Sequence, residues 1–378
     1  MKITKMEVIH VKPRYSFLKI VTDEGITGIG EACLEGRARV VEMAIQDFEY
    51  MLLGQDPRNI EHLWNLMYRG TFYRAGAIMC SAISAIDQAL WDILGKSLNV
   101  PVYKLLGGAV RDKIRVYKHV NTDEKVTTDD MERFIGLAKK AVQEGYTMIK
   151  TALPGPAHIL ETKGFIDRQV QRVAALREAI GPDVDFGIDF HGRVSPALAM
   201  QLIKEFEPFK PMFIEEPCLP ENVDTMVTIA RSTTIPIATG ERLYTRWGFK
   251  DVLEKQAAAI LQPDLAHCGG ITEAKKIAAM GEVYYTGFAP HNPLGPVNLA
   301  ASIQLSATVP SFVAQEQITL GEGLIKQPFV LKDGYVDLPT APGLGVELDE
   351  EKIAPLRYSG DWKLPYWIHE DDHSVADW

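Results

Sequence analysis

No stretch of the 378-residue chain reads as an apolar run long enough to span a bilayer, so a composition that is 46% hydrophobic is expected to build internal cores. The start, Met1-Lys-Ile-Thr-Lys-Met-Glu-Val-Ile-His10, alternates like a strand and has no apolar segment of the signal-peptide kind. Cysteine is scarce, with four residues (Cys33, Cys80, Cys218, Cys268) and no C-x-x-C pair, which excludes a disulfide framework and a structural zinc site. A reducing cytoplasm is the expected compartment. Positive charge is in deficit, 40 Lys plus Arg against 50 Asp plus Glu, and the net charge of −10 excludes nucleic acid or an anionic membrane as the main partner. An anionic small molecule would then need a local cation or a metal.

From Lys113 onward short apolar runs alternate with amphipathic helical patterns, after a different beginning. Residues 1 to about 50 read as antiparallel strands followed by a helix, with Asp23-Glu24-Gly25 as a turn. In Ser81 to Leu98, Ile83, Ile86, Leu90 and Ile93 recur at helical spacing, and Asp87 and Asp92 fall off that stripe with structural roles expected. The alternating region has eight expected strands: 114–117, 147–150, 184–189, 212–215, 237–238, 259–261, 287–289 and 312–315. Eight parallel strands of this kind close into a barrel with its chemistry at their C-terminal ends. The rival, an open doubly wound sheet, lacks the G-x-G-x-x-G that would follow its first strand. The expected domains are an α+β region over 1–112, the barrel over 113–337, and a terminal segment over 338–378. That last segment ends too aromatic for a free tail and is expected to pack back on the first domain. The Pro-rich insert after the second strand, Leu153-Pro-Gly-Pro-Ala-His158, is expected to lie over the mouth.

Within this array the stretch from Asp185 to Glu316 carries charge where apolar strand ends have no use for it. The same separation, 26 residues, divides Asp189 from Glu215 and Glu215 from Glu241, which places one acid at one level on three successive strands. Each alone is commonly a helix cap or half of an ion pair. Three converging would repel one another unless a hard divalent cation lay between them, and Mg²⁺ fits best. Glu216 and Arg242 stand beside these ligands and are expected to orient or balance them. His191, two residues past Asp189, is expected on the same side of an extended chain. His291 follows the seventh strand and Asp264 ends the sixth, so a carboxylate there can fix the imidazole tautomer and raise its basicity. Glu316, after the eighth strand, would face the same cavity. A metal site with a histidine on each side suits removal of the proton next to a carboxylate and protonation of a leaving hydroxyl, giving a 2-keto-3-deoxy acid.

These residues, with Phe-Leu-Lys-Ile-Val-Thr-Asp-Glu-Gly (17–25), Glu35-Gly-Arg-Ala-Arg39, Ala85-Ile-Asp-Gln-Ala-Leu-Trp-Asp92, Asp189-Phe-His-Gly-Arg193, Ile260-Leu-Gln-Pro-Asp264, Ala289-Pro-His291 and the Trp367 to Trp378 end, resemble the enolase superfamily in its mandelate racemase branch. The likeness is strongest to the galactonate dehydratases and runs the whole length. The pairing of a His base with Mg²⁺ in enolase-superfamily sites is a known example of the principle used here. The resemblance implies a capping domain over a modified TIM barrel, (β/α)₇β, and a hydro-lyase acting on a sugar acid, best guess D-galactonate. It implies Asp189, Glu215 and Glu241 as Mg²⁺ ligands, His291 with Asp264 as general base, His191 as general acid and Glu316 as transition-state stabiliser. It further implies Arg14 and Tyr15 in a mobile capping loop, Lys150 and Arg193 toward substrate, and a homo-oligomer between dimer and octamer. Where racemases of this branch carry Lys-x-Lys, this chain has Lys150-Thr151-Ala152, which favours elimination and leaves Lys150 either on the substrate or on the surface. The stretches 117–123, 153–163 and 321–332 look unlike typical galactonate dehydratases and are expected to border the sugar pocket. A carboxylate racemase or epimerase, or a catalytically retired binding homologue, are the alternatives.

Overall fold

The computed structural model describes residues 1–74, 76–120 and 130–377. Asn121, Thr122 and Asp123 of the pocket-bordering stretch, and Trp378, lie outside the described residues. The chain opens with an antiparallel meander of β1 (Ile3–Val11), β2 (Tyr15–Thr22) and β3 (Thr27–Glu31). Gly25, at φ 78°, supplies the left-handed residue that the tight turn before β3 needs. Three helices follow, α1 (Ala38–Leu52), α2 (Ile60–Arg69) and α3 (Ala77–Ser97), and close a core around Leu18, Ile20, Val41, Ile45, Trp64 and Ile86.

Helix α3 overturns one expectation, because it is long and apolar enough to cross a membrane by length and composition. Its burial explains why: the helix is covered on nearly every face, so Ser81, Ser84, Asp87, Gln88 and Asp92 are buried beside its apolar stripe. Asp87 accepts from the Thr272 amide (3.0 Å) and hydroxyl (2.5 Å), and Asp92 accepts from the Ile29 and Leu344 amides. Both acids therefore satisfy backbone and side-chain donors of the segments packed on the helix.

A short helix α4 (Val102–Leu105) leads into the alternating array. Its strands are β4 (Lys113–His119), β5 (Met148–Ala152), β6 (Asp185–Asp189), β7 (Phe213–Glu215), β8 (Ile237–Thr239), β9 (Ile260–Leu261), β10 (Gly287–Phe288) and β11 (Gln315–Gln317). Between them run α5 (Met131–Gln143), α6 (Lys163–Ile180), α7 (Pro196–Phe206), α8 (Val223–Arg231), α9 (Thr245–Glu254), α10 (Gly270–Val283) and α11 (Pro296–Ser306). Neighbouring strands from β4 to β10 pair in parallel, and β11 pairs in parallel with β4. The ring closes at β10 through a single parallel bridge, Phe288 to Phe312, with the Val313 amide donating to the Phe288 carbonyl. The result is a modified TIM barrel, (β/α)₇β, under an N-terminal α+β cap.

Covered by helices outside and side chains inside, these strands are buried on both faces, as in β5, where all five residues are buried. Tyr117, Met148, Phe213, Ala238, Ile260, Ala289 and Ala314 fill the interior. The eighth strand lies later than expected: Phe312 makes only its bridge, and continuous pairing begins at Gln315, so Glu316 is a buried member of β11 and does not follow the strand.

After the barrel, β12 (Tyr335–Asp337) pairs antiparallel with β4, and a helical turn α12 (Glu350–Ile353) leads to a small hairpin, β13 (Trp367–Ile368) with β14 (Val375–Ala376). The terminal segment touches the cap at Gly343, which bridges Pro101, and again where Arg357 bridges Val11 and the Tyr358 amide donates to the His10 carbonyl. Beyond it the chain turns to the loops after β5 and β6: the Arg193 guanidinium stacks on Trp367 at 4.3 Å, and His369 stacks on His158 at 3.9 Å. The terminal hairpin thus reaches residues of the barrel.

Candidate active site

Asp189 and Glu215 sit side by side in the β6–β7 register, at the C-terminal ends of their strands. Glu241 breaks the expected symmetry. Glu215 pairs with Ala238, so the third acid lies past the end of β8, beyond Gly240. Gly240 has φ 148°, and a Cβ there would stand 2.8 Å from the Gln262 backbone, so only glycine lets the chain turn there. Equal spacing in sequence thus produces two acids in register and a third carried by a loop.

His191 also reaches the site by another route than expected. The chain is not extended there: His191 has φ 51°, and its amide donates to Asp189 Oδ1 (2.8 Å) in an Asx-type turn. That turn brings its Nε2 within 3.1 Å of Asp189 Oδ2. On the opposite side His291 Nδ1 lies 2.8 Å from Asp264 Oδ2, and its Nε2 lies 2.6 Å from Glu241 Oε2. Glu216 accepts two bonds from Arg242, whose Nη2 also donates to the His191 carbonyl (2.9 Å).

Lys150 is no surface lysine. It is 1% exposed, and its Nζ lies 2.8 Å from Glu316, 3.0 Å from Glu215 and 3.1 Å from Asp189. Burial works against its charge, but Glu215, Glu316 and Asp189 outweigh it and hold the ammonium well above the ordinary lysine range. Burial likewise opposes Asp189, which His191 and Lys150 nevertheless hold below the usual carboxylate range. Burial and the charge of Asp189 push Glu215 up to about 8. At His291 burial is overcome by Glu241, Glu316 and Asp264, which raise it well above its ordinary value.

Arg14, in the tight turn between β1 and β2, and Tyr15, the first residue of β2, lie at the seam between cap and barrel. Arg14 donates to the Pro293 carbonyl (2.6 Å) and lies over Trp362, while Tyr15 lines an open recess of about 800 Å³ with Lys12, Thr319, Glu322 and Trp362. No hydrogen bond or ion pair among the described residues joins either to the acid cluster. Arg193 is buried, donates to the Pro154 carbonyl (3.2 Å) and stacks on Trp367, so it ties the loop after β5 to the terminal hairpin.

Three further groups at the site escaped the sequence reading as individual residues. His119 ends β4 opposite Lys150, and its buried Nε2 has no hydrogen-bond partner among the described residues. Its place in a stretch unlike the expected family was the available signal. Asn298 and Gln88 form buried polar contacts behind His291, and their separation by 210 positions left nothing local to find.

The donor set suits a hard divalent cation. Asp189, His191 and Glu241 form one group with ligand atoms within 4.8 Å of one another, and Glu215, Glu241 and His291 form a second. Glu215 Oε1 is buried with no hydrogen bond among the described residues, an arrangement that an oxygen-seeking cation would satisfy, while Asp189 Oδ2 faces Lys150 Nζ and His191 Nε2, each at 3.1 Å, so the cluster already draws positive charge.

Residues 133–352 match the family model for the enolase C-terminal domain-like fold, and residues 4–107 match the mandelate racemase / muconate lactonizing enzyme N-terminal domain. Proteins named D-galactonate dehydratase from Variovorax paradoxus (strain S110) and Cronobacter sakazakii (strain ATCC BAA-894) are each 48% identical, with both chains covered completely. A crystal structure of a mandelate racemase/muconate lactonizing enzyme from Jannaschia sp. CCS1 superposes with TM-score 0.89 at 33% identity, covering 95% of this chain and 98% of that one. A member of the enolase superfamily from Salmonella Typhimurium gives TM-score 0.86 at 34% identity, covering 93% and 97%. The cap, the closed barrel and the acid cluster at its mouth thus agree with full-length similarity, and the chain belongs to the mandelate racemase / muconate lactonizing enzyme family of the enolase superfamily.

Proposed function

We propose that this protein is a Mg²⁺-dependent acid-sugar dehydratase that removes water from an aldonate, with D-galactonate the first candidate, to give a 2-keto-3-deoxy acid. The observation that carries the reading is the pair of imidazoles flanking one carboxylate cluster, His191 beside Asp189 and His291 beside Glu241 with Asp264 behind it. The full-length relatives named D-galactonate dehydratase support the reaction class. In this reading residues 1–112 form the cap, 113–337 the barrel, and 338–378 a strap that touches both.

Asp189, Glu215 and Glu241 would hold Mg²⁺, which when bound supplies positive charge for the substrate carboxylate as negative charge develops on it. Asp264 keeps the His291 proton on Nδ1, so Nε2 is the nitrogen that takes the C2 proton. His191, across the cluster, gives its proton to the hydroxyl departing from C3, which leaves as water. The enol that remains tautomerises to the 2-keto acid. Glu316, buried at the end of the ring and accepting from the Asn292 amide (3.1 Å), would face the enolate oxygen and stabilise the transition state in this reading. Lys150 balances the cluster's negative charge. A single lysine, followed by Thr151 and Ala152, leaves no second lysine base on that strand for racemisation.

A panel of aldonates and other acid sugars, incubated with protein and Mg²⁺ and assayed for 2-keto-3-deoxy products, tests the reading. Turnover of one epimer that disappears in both His191→Asn and His291→Asn supports it. Deuterium entering C2 of recovered substrate without loss of water would instead identify an epimerase.

A further inference from the structure

We infer that Asn298 is a positioning residue for the Asp264–His291 pair, and that the cap holds Asn298 in place through Gln88. This rests on the reading of His291 as the base. Asn298 Nδ2 donates to Asp264 Oδ1 (3.0 Å) and to Asn292 Oδ1 (3.0 Å), while the other Asp264 oxygen faces His291. The Ala266 amide is a second donor to Asp264 Oδ1, at 2.7 Å. A carboxylate with one oxygen pinned by two donors can turn little, so the direction of its bond to His291 Nδ1 is set from behind.

The amide of Asn298 can be flipped only at a cost, because its oxygen is claimed. Gln88 Nε2, from helix α3 of the cap, donates to Asn298 Oδ1 (2.9 Å) and to the Leu265 carbonyl (2.9 Å). Gln88 is fixed in turn, its Oε1 accepting from the Glu31 amide (2.9 Å). Each of these side chains is fully buried, so a broken bond would leave an orphaned polar group with no water to satisfy it.

The same cap strand anchors the backbone under Asn298. Helix α11 has no capping side chain at Gly295. Glu31 supplies the missing acceptor from β3, taking the Gly295 amide on Oε1 (2.9 Å) and the Asn298 amide on Oε2 (3.0 Å). A Cβ at Gly295 would stand 2.3 Å from Glu31 Oε1, so the approach requires glycine. Cap and barrel therefore meet directly behind the base, and the seating of one on the other sets the alignment of the His291 ring.

The test compares Asn298→Leu, Gln88→Leu and the double variant in Mg²⁺-loaded protein, by steady-state kinetics on the preferred acid sugar and by the low-field proton resonance of the His291 Nδ1–H in ¹⁵N-histidine-labelled samples. The expected result is a kcat lowered about 10- to 100-fold in Asn298→Leu with KM changed less than about threefold, as for an interaction needed only in the transition state. The Nδ1–H resonance should shift or broaden in step. Gln88→Leu, which touches neither member of the pair, should change both readouts in the same direction by less. The double variant should be no worse than Asn298→Leu alone, the signature of one chain of contacts. An unchanged kcat and resonance in Asn298→Leu, or effects of the two variants that simply multiply, would overturn the inference. Should Asn298→Leu not fold, Gln88→Leu decides, and unchanged readouts there overturn it equally. If no acid sugar is turned over by the unmodified protein, the dehydratase reading fails while the resonance still tests the positioning.

Discussion

Lys150 Nζ lies 2.8 Å from Glu316 Oε1, so a lysine on β5 and a glutamate on β11 meet over β4, the strand that separates them in the ring. The same ammonium is within 3.1 Å of both Asp189 and Glu215. Removing it leaves three buried carboxylates without their shared cation, and breaking a buried ion pair from one side typically costs about 3–5 kcal/mol. Lys150→Met is therefore expected to lower the melting temperature of metal-free protein clearly, with Mg²⁺ restoring more of the loss than it adds to the unmodified protein. Thermal melts with and without Mg²⁺ check this, and equal Mg²⁺ shifts in the two proteins would show that Lys150 and the cation do not share a site.

The acid cluster itself makes a prediction that needs no substrate. A ligand that binds only the folded state stabilises it by about 2.7 kcal/mol at a hundredfold excess over its Kd. Mg²⁺ should accordingly raise the melting temperature, and Glu215→Gln should abolish most of that rise because Glu215 Oε1 is a buried acceptor with no other partner among the described residues. Calorimetric titration with MgCl₂ should give the same ranking. A full Mg²⁺ response in Glu215→Gln would remove this residue from the ligand set.

Glu31 predicts a slope of stability with pH. It is fully buried, and burial pushes its carboxyl up to about 8 despite the amides of Asn298 and Gly295 that favour the charged form. An acid raised on folding binds more protons in the native state, so its contribution is complete below the unfolded value near 4.5 and is lost as pH rises through about 8. At about 1.4 kcal/mol per unit, the loss is of the order of a few kcal/mol. Urea unfolding of the unmodified protein at pH 5, 6, 7 and 8 should show the decline, and Glu31→Gln should flatten it. Parallel curves in the two proteins would assign the slope elsewhere.

Periodicity carried the architecture because parallel strands buried on both faces are short apolar runs, and those runs stand out between amphipathic helices. It carried the site less evenly. The 26-residue spacing placed Asp189 and Glu215 in register, but the same spacing ends at a loop for Glu241, since only local geometry at Gly240 decides where β8 stops. Lys150 was readable in principle, standing two residues past Met148, which fills the barrel interior, and so on the same face. Asp87 and Asp92 of α3 were legible as structural acids, but Ser81, Ser84 and Gln88 beside them were not. A stripe of one helix cannot reveal which of its remaining positions another domain covers, and Gln88 acquires its meaning only from Asn298 on the far side of the fold.

His119 yields the last prediction. It ends β4 beside Lys150, and burial, then the charge of Lys150, hold its imidazole well below its ordinary pKa, so the ring is neutral at physiological pH. A neutral imidazole offers one donor and one acceptor, and here Nε2 is buried without a hydrogen-bond partner among the described residues. Leaving such a group unsatisfied costs about 1–3 kcal/mol, which a substrate hydroxyl reaching it would recover. Because a hydroxyl held in this way is bound alike in ground and transition states, His119→Phe is expected to raise KM about 10-fold or more for the preferred aldonate with a smaller effect on kcat. It should also narrow the gap between that substrate and the epimer whose hydroxyl points the other way, while the melting temperature stays level or rises because a buried orphan has gone. Unchanged KM values and an unchanged ranking of epimers would mean that the ring faces the cavity without touching the sugar, and that hydroxyl selection rests on the loops after β5 and β11.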